Sequence, residues 1–207
     1  MEENIPGRSL VDKAFLQGDD VVYLARQLIG KRLVTWVDGV EVSAIISETE
    51  AYRGITDKAS HTWNGRRTKR TEKMYWSGGH IYVYLCYGIH ALLNIVTNKA
   101  EIPDAVLIRG IIPESGTEVI LSRRRAKKWN SKLTTGPGKV SQALGVQVKH
   151  SGLVLGEENG GFRIWLEEGI RLSKQEIVAA KRVGVDYAGE DAALLWRFIK
   201  KSSFPEK

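Results

Sequence analysis

Glu48, Glu50, Tyr52 and His61 are the side chains of this 207-residue chain whose types and spacing best suit chemistry. On an extended strand side chains two apart share a face. The segment Ile46-Ser47-Glu48-Thr49-Glu50-Ala51-Tyr52 therefore sets two carboxylates and a phenol on one side, with Thr49 and Ala51 on the other. A carboxylate placed beside water can take its proton. Apolar strands such as Val42-Ser43-Ala44-Ile45-Ile46 usually end in turn residues, and this one ends in acids. The residues alone leave Glu48 and Glu50 both open as the acid or base.

Two further features lie close by in the sequence. Between Arg53 and Lys73 there are seven basic residues (Arg53, Lys58, Arg66, Arg67, Lys69, Arg70, Lys73) against Asp57 and Glu72, within a chain of net charge +7. Such a patch attracts polyanions, although a solvated face explains a single cluster, such as Arg123-Arg124-Arg125-Ala126-Lys127-Lys128, equally well. The stretch His80-Ile81-Tyr82-Val83-Tyr84-Leu85-Cys86-Tyr87-Gly88 puts His80, Tyr82, Tyr84 and Cys86 on one strand face, with Tyr87 at a turn that Gly88 permits. Aromatic residues commonly fill cores, but beside a basic loop they are also the platforms on which nucleobases stack.

The elements that must position these groups follow from local pattern. Asp19-Asp20 caps a helix through Val21 to Leu28 that ends at Gly30. Arg32 to Val37, the Asp38-Gly39 turn and Val40 to Ser47 read as a hairpin, with Glu48 to Tyr52 extending its second strand. Gly54 to Gly79 reads as a long loop with one helical turn around Thr71 to Tyr75. Strands are expected at His80 to Cys86, Leu92 to Thr97, Ala105 to Gly110 and Phe162 to Leu166, and helices at Thr117 to Lys128 and Lys139 to Leu144. Ile177 to Val185 fits helix or strand, and Leu195 to Ile199 leans to strand. No regular βαβ alternation appears, so the expected class is α+β in a single domain.

Composition removes several alternatives. Cys86 is the only cysteine, which leaves no internal disulfide, cysteine zinc finger or single-chain iron–sulfur cluster. His61, His80, His90 and His150 show no zinc-ligand spacing, Thr135-Gly136-Pro137-Gly138-Lys139 reads as a turn into a helix rather than a P-loop, and no Gly-x-Ser-x-Gly occurs. No metal and no cofactor is expected. The absence of a long uncharged apolar run and of a basic, apolar start after Met1-Glu2-Glu3-Asn4 predicts a cytoplasmic protein with no membrane partner.

Glu48-Thr49-Glu50-Ala51-Tyr52, His61, Gly65-Arg66-Arg67-Thr68, Tyr82-Val83-Tyr84 with Tyr87-Gly88 and Asn94, Leu107-Ile108-Arg109, Thr135-Gly136-Pro137 with Lys139 and Gln142-Ala143-Leu144, and Arg182-Val183-Gly184-Val185 with Ala188-Gly189 follow one another in a telling order. Together they resemble the alkyladenine (3-methyladenine) DNA glycosylase family, in a bacterial-type minimal form, over about Ser9 to Phe204. The resemblance implies a mixed α/β domain around a curved, mainly antiparallel sheet flanked by helices. It implies a monofunctional enzyme that flips alkylated or deaminated purines (3-methyladenine, 7-methylguanine, hypoxanthine, ethenoadenine) from double-stranded DNA and hydrolyses the N-glycosidic bond with water, leaving an abasic site. In its terms Glu50 is the general base and Arg109 positions the water. Tyr52 and Tyr84 stack on the base, His61 bonds near the base and its phosphate, Asn94 crowds guanine's amino group and Leu107 lies at the floor. Tyr87 fills the vacated stack, and Arg66 and Thr68 hold phosphates. Glu50 needs only an ordinary glutamate pKa for this role. The protein is expected to act as a monomer, associated with the nucleoid when on DNA. A damaged-DNA-binding module without catalysis, a Schiff-base lyase and a metal-dependent nuclease are the competing readings.

Overall fold

A computed structural model describes residues 9–201, so the predicted limit at Phe204 and the N-terminal residues lie outside the described part. The Asp38-Gly39 turn forms as predicted, both residues at positive φ (50° and 85°), and joins β1 (Arg32–Val37) to β2 (Val40–Tyr52). Among the described residues these two strands belong to a sheet of nine in which every pairing is antiparallel. The others are β3 (Ile81–Cys86), β4 (His90–Thr97), β5 (Asp104–Ser115), β6 (Glu158–Asn159), β7 (Phe162–Glu167), β8 (Ile177–Ala180) and β9 (Arg197–Lys200). The order is β3-β4-β5-β2-β1-β7-β6, with β8 on β9 and β9 on the far half of β2. β2 thus changes partners along one edge, from β1 over Val40–Ile45 to β9 over Glu48–Glu50, and the sheet curls there. The fold is α+β.

Among the described residues four short helices complete it: α1 (Lys13–Leu16), α2 (Val21–Gln27), α3 (Thr117–Arg123) and α4 (Pro137–Leu144). Asp20 caps α2 by accepting the N–H groups of Val22 and Tyr23 at 3.0 and 3.1 Å. α3 stops five residues before its predicted end at Lys128. Arg125 takes a left-handed conformation (φ 51°) and the N–H of Ala126 bonds back to the carbonyl of Leu121, a Schellman closure made without glycine. α4 begins two residues earlier than predicted because Pro137 occupies its first turn, where a missing N–H costs nothing. The loop from Gly54 to Gly79 contains three 3₁₀ turns (Gly54–Thr56, Trp63–Gly65, Glu72–Tyr75) rather than one. Ile177 to Val185 resolves as strand to Ala180 and loop thereafter. Among the described residues no helix is long and apolar enough to cross a membrane.

The main core lies on one face of the sheet, where Val42, Ala44, Ile46, Ala51, Leu93, Ile95, Val106, Ile108 and Ile111 pack with Ala25 and Leu28 around α2 and with Val140, Ala143 and Leu144 of α4. Strict alternation along β2 would carry the face of Ala44 and Ile46 on to Glu48 and Glu50, burying two carboxylates in that core. A break in register prevents it. Ile46 faces Ile111, Glu48 faces Gly110 and Thr49 faces Ile108, so Ser47 on β2 and Arg109 on β5 have no partner across the ladder. These paired irregularities move the core side from Ile46 to Thr49 on β2 and from Ile111 to Ile108 on β5. Thr49 then points to α2, donating to the carbonyl of Ala25 at 2.7 Å, while Glu48, Glu50 and Tyr52 point to the opposite face.

β5 continues through Gly110 where the sequence suggested an end, since that glycine accommodates the break. A Cβ at Gly110 would lie 2.9 Å from Ser47 Oγ and 3.0 Å from Glu48 Cβ. Gly110→Ala is expected to lower stability by about 1–3 kcal/mol, measured by urea unfolding. A change within error of zero would show that the strands separate freely at this point.

Candidate active site

The site is built on one row of residues across five strands: Tyr82 of β3 faces Asn94 of β4, Asn94 faces Leu107 of β5, Leu107 faces Glu50 of β2, and Glu50 faces Arg197 of β9. Asn94 and Leu107, both buried, form the floor between a carboxylate at one end and tyrosines at the other. The side-chain amide of Asn94 donates to the carbonyls of Tyr82 (3.1 Å) and Leu92 (3.3 Å), which holds it in one orientation. Tyr82 packs with Met74, Val96, Ala105 and Tyr84 in a second, smaller cluster on this face.

Glu50 has no solvent exposure, yet it is not isolated. Its Oε1 accepts the N–H of Val183 at 2.8 Å and lies 3.3 Å from Arg109 Nε, and its Oε2 accepts the Tyr52 hydroxyl at 2.8 Å. Burial pushes its pKa above the usual carboxylate range, opposed by the Arg109 guanidinium, the Val183 N–H and the Tyr52 O–H and reinforced by Glu48. The expected ordinary glutamate is therefore corrected to one raised by desolvation. The Tyr52 phenol is held protonated by burial and by the charge of Glu50 beside it.

Glu48 plays a different part. Its Oε1 accepts from Arg109 Nε at 3.0 Å and Arg197 Nη1 at 3.2 Å, so Arg109 is shared between the two carboxylates and Glu48 is occupied by two cations. The 134–136 segment binds the irregular stretch of β5, the N–H of Gly136 donating to the carbonyl of Arg109 at 2.8 Å. Thr135-Gly136-Pro137 thus leads into α4, as expected, and steadies the backbone of Arg109.

His61 comes from the 54–79 loop. Its Nδ1 is 3.0 Å from the Tyr82 hydroxyl and its ring meets that of Tyr84 edge-on at 4.5 Å, while Tyr82 and Tyr84 stack at 5.5 Å. Further along that loop Thr68 and Arg66 are exposed; Thr68 Oγ1 is 3.1 Å from that of Thr71, and the Arg66 carbonyl accepts from the Tyr75 hydroxyl. Arg67, by contrast, is clamped by Glu72 and Glu101 and lies over the Tyr75 ring at 4.4 Å. Tyr87 projects from the β3–β4 turn, 88% exposed, at φ 50°, with Gly88 following at 71°. A bulky residue in that conformation is strained.

Three participants escaped the sequence reading: the backbone N–H of Val183, the Arg182–Asp57 pair behind Tyr52, and Arg197 on Glu48. Asp57 offered the one available hint, as one of only two acids among the seven basic residues of its segment.

A buried carboxylate among aromatic rings, below a basic loop, suits an enzyme acting on a planar base carried by a polyanion. The family model described as methylpurine-DNA glycosylase matches residues 14–204. Curated relatives bearing the name "Putative 3-methyladenine DNA glycosylase" include one from Chlamydia felis, 43% identical over 93% of this chain and 98% of the relative. Another, from Clostridium acetobutylicum, is 42% identical over 89% and 91%, and a third, from Bacillus cereus, is 40% identical over 91% and 94%. The chain belongs to the methylpurine-DNA glycosylase family. It is a DNA glycosylase, and DNA is its substrate.

Burial, with Arg70 and Arg66 nearby, lowers the His61 pKa to about 4, so the ring is neutral at physiological pH. Because the unfolded chain binds this proton first, His61 makes the fold more stable as pH rises from about 4 to its ordinary 6.5. An NMR titration of the His61 ring nitrogens should give a midpoint near 4. A midpoint at the ordinary value would mean that solvent reaches the ring freely.

Proposed function

We propose that this protein removes alkylated and deaminated purines, of the 3-methyladenine, 7-methylguanine, hypoxanthine and ethenoadenine class, from duplex DNA by hydrolysis with a water activated by Glu50. The observation that carries the reading is the environment of Glu50. A carboxylate has about four acceptor positions. Val183 and Tyr52 donate to two of them, while the single Nε proton of Arg109 goes to Glu48 and leaves a 3.3 Å ion pair with Glu50 Oε1, so acceptor positions remain for a water, and the carboxylate lies beside a floor of Asn94 and Leu107 with aromatic rings around it.

In this reading the damaged nucleotide leaves the stack and its base lies between Tyr52 and Tyr84, where stacking returns roughly 1–3 kcal/mol of the cost of extrusion. Tyr87 enters the vacancy in the duplex, and Arg66 and Thr68 hold phosphates. Asn94 rejects guanine through its fixed amide, and neutral His61 donates or accepts one hydrogen bond at the base and its backbone. As the bond from C1′ to the purine nitrogen breaks, its electron pair leaves with the base and positive charge develops on the sugar. Water adds to C1′ and gives its proton to Glu50, whose negative charge also stabilises the transition state. Arg109 keeps Glu50 and Glu48 from repelling each other at short range. The raised pKa brings the base nearer to working pH, which favours proton transfer. One domain and one subunit suffice, and no metal enters the steps.

Incubation with duplexes containing hypoxanthine, ethenoadenine or methylated purines, in chelator, should release free base and leave abasic sites. Glu50→Gln should reduce the rate by a factor of about 10² or more. No release by the wild type from any of these duplexes, or undiminished release by Glu50→Gln, would refute the reading. Direct strand cleavage abolished by chelator would instead identify a nuclease.

Tyr87 offers a test with opposite signs. Tyr87→Asn relieves the strained turn and should stabilise the fold by up to about 1 kcal/mol, while slowing excision from duplex DNA. A variant that is more stable and equally fast would remove Tyr87 from the proposal.

A further inference from the structure

One charged pair near the site has no part in the steps above. Arg182 and Asp57 lie 125 residues apart in sequence, and neither side chain is exposed. The guanidinium grips the carboxylate with both terminal nitrogens, Nη2 donating to Oδ1 at 2.9 Å and Nη1 to Oδ2. Asp57 is itself fixed by the N–H groups of Ala59 (2.9 Å) and Arg53 (3.3 Å). The pair closes the base of the loop that carries His61.

Arg182 also completes the strand that carries Glu50. β9 leaves β2 after the N–H of Ala51 donates to the carbonyl of Trp196 at 2.9 Å, and the next carbonyl, that of Ala51, is taken by Arg182 Nη1 at 2.9 Å. The guanidinium lies 4.9 Å from the Tyr52 ring centre and 5.1 Å from that of Trp196. The residue after it, Val183, donates its N–H to Glu50. A single buried cation therefore touches the backbone on one side of Glu50, the ring whose hydroxyl bonds Glu50, and the loop whose amide bonds Glu50.

We propose that the Arg182–Asp57 pair is a positioning device for Glu50, aligning the Val183 amide and the Tyr52 hydroxyl on the carboxylate so that a remaining acceptor position faces the water. The inference rests on Glu50 acting as the base. Stability alone accounts poorly for the pair, since apolar groups of equal volume commonly serve a fold as well as a buried ion pair does. Geometry accounts for it better, because only arginine offers a flat fork that binds a carboxylate with two bonds and stacks on rings at once. The groups facing Glu50 are Glu48 and Tyr52 from β2, Arg109 from β5, Tyr84 from β3 and Arg182 from the loop, with Arg197 of β9 held on Glu48. Arg182 is the only one of these that also controls where two of the direct donors lie.

Single-turnover excision from a lesion duplex, followed across its acid limb, tests this with Asp57→Asn and Trp196→Leu, alongside DNA affinity and melting temperature. Asp57→Asn breaks the fork, whereas Trp196→Leu loosens Arg182 while leaving both charges paired, so it decides the matter if Asp57→Asn does not fold. Thr35→Val, which removes a buried hydrogen bond to Leu144 away from the site, controls for lost stability. The expected result is a maximal rate lower by about tenfold or more, an acid limb displaced to higher pH as Glu50 loses donors, DNA affinity within about twofold of wild type, and no displacement in Thr35→Val. An unmoved limb and rate in Asp57→Asn or Trp196→Leu, or a loss confined to DNA affinity or melting temperature, would overturn the proposal. Undiminished excision by Glu50→Gln would instead overturn the role of Glu50 itself, with the pair's effect on the limb absent for that reason.

Discussion

The break in register between β2 and β5 is the constraint on which the rest of the molecule depends. A strand that buries Val42, Ala44 and Ile46 cannot present Glu48 and Glu50 to solvent or ligand without changing face, and a change of face costs the ladder at least one pair. Both strands give up a partner here, Ser47 on one and Arg109 on the other, and Gly110 opposite Glu48 is what allows the backbones to stay close. The same break turns Arg109 to the side of the carboxylates. Glu50 and its counter-charge are thus placed by one irregularity, and the hydroxyl of Ser47, buried with no hydrogen-bond partner, is part of its cost.

Once the carboxylates are on the outer face, electrostatics decides what each can do. Glu48 and Glu50 would repel each other at this range, and desolvation would neutralise a carboxyl as buried as Glu50 if nothing opposed it. Arg109 lies between them and Arg197 reaches Glu48 from the far edge, so two cations balance two anions. The balance is asymmetric. Glu48 receives two arginines and serves as a counter-ion, whereas Glu50 receives one arginine, an amide and a phenol. Burial holds its pKa above the ordinary value against the pull of these three partners, and acceptor positions remain on it.

Much of this was legible in the residues. The hairpin at Asp38-Gly39, the strand expected from His80 to Cys86 and the cap at Asp20 follow from local chemistry, and all three are present, the strand beginning one residue later at Ile81. The co-facial set Glu48, Glu50 and Tyr52 was also legible, since alternation holds within the segment even though it fails just before it. What could not be read is the failure itself, because paired irregularities depend on which strand lies opposite, and Gly110 reads equally well as a strand end. The early stop of α3 was hidden for a related reason: Arg125 adopts a backbone conformation for which glycine is the usual signal. The pairing of Arg182 with Asp57 was hidden by distance along the chain. The motif at Arg182 and the acid at Asp57 in a basic segment were both visible, but not that one would find the other in a dry interior.

Strain and rigidity are distributed unevenly around the site, and the distribution itself argues for its use. Asn94, Leu107 and Glu50 lie on central strands where neighbours on both sides fix the backbone, and Arg182 adds a fixed point where β9 departs. Tyr87 occupies the opposite extreme, a tight turn at the sheet's edge, its ring almost wholly in solvent and its φ in a region where asparagine or glycine would rest more easily. A hydrophobic ring held outward at a conformational cost gains nothing within the described fold, which fits the proposed reading in which it fills an apolar gap outside the chain. A DNA duplex with one base removed from its stack provides a planar, apolar gap of that kind. In the proposed reading the floor that receives the base is rigid and the ring that replaces it in the stack is exposed and strained, which is the division of labour that base extrusion requires.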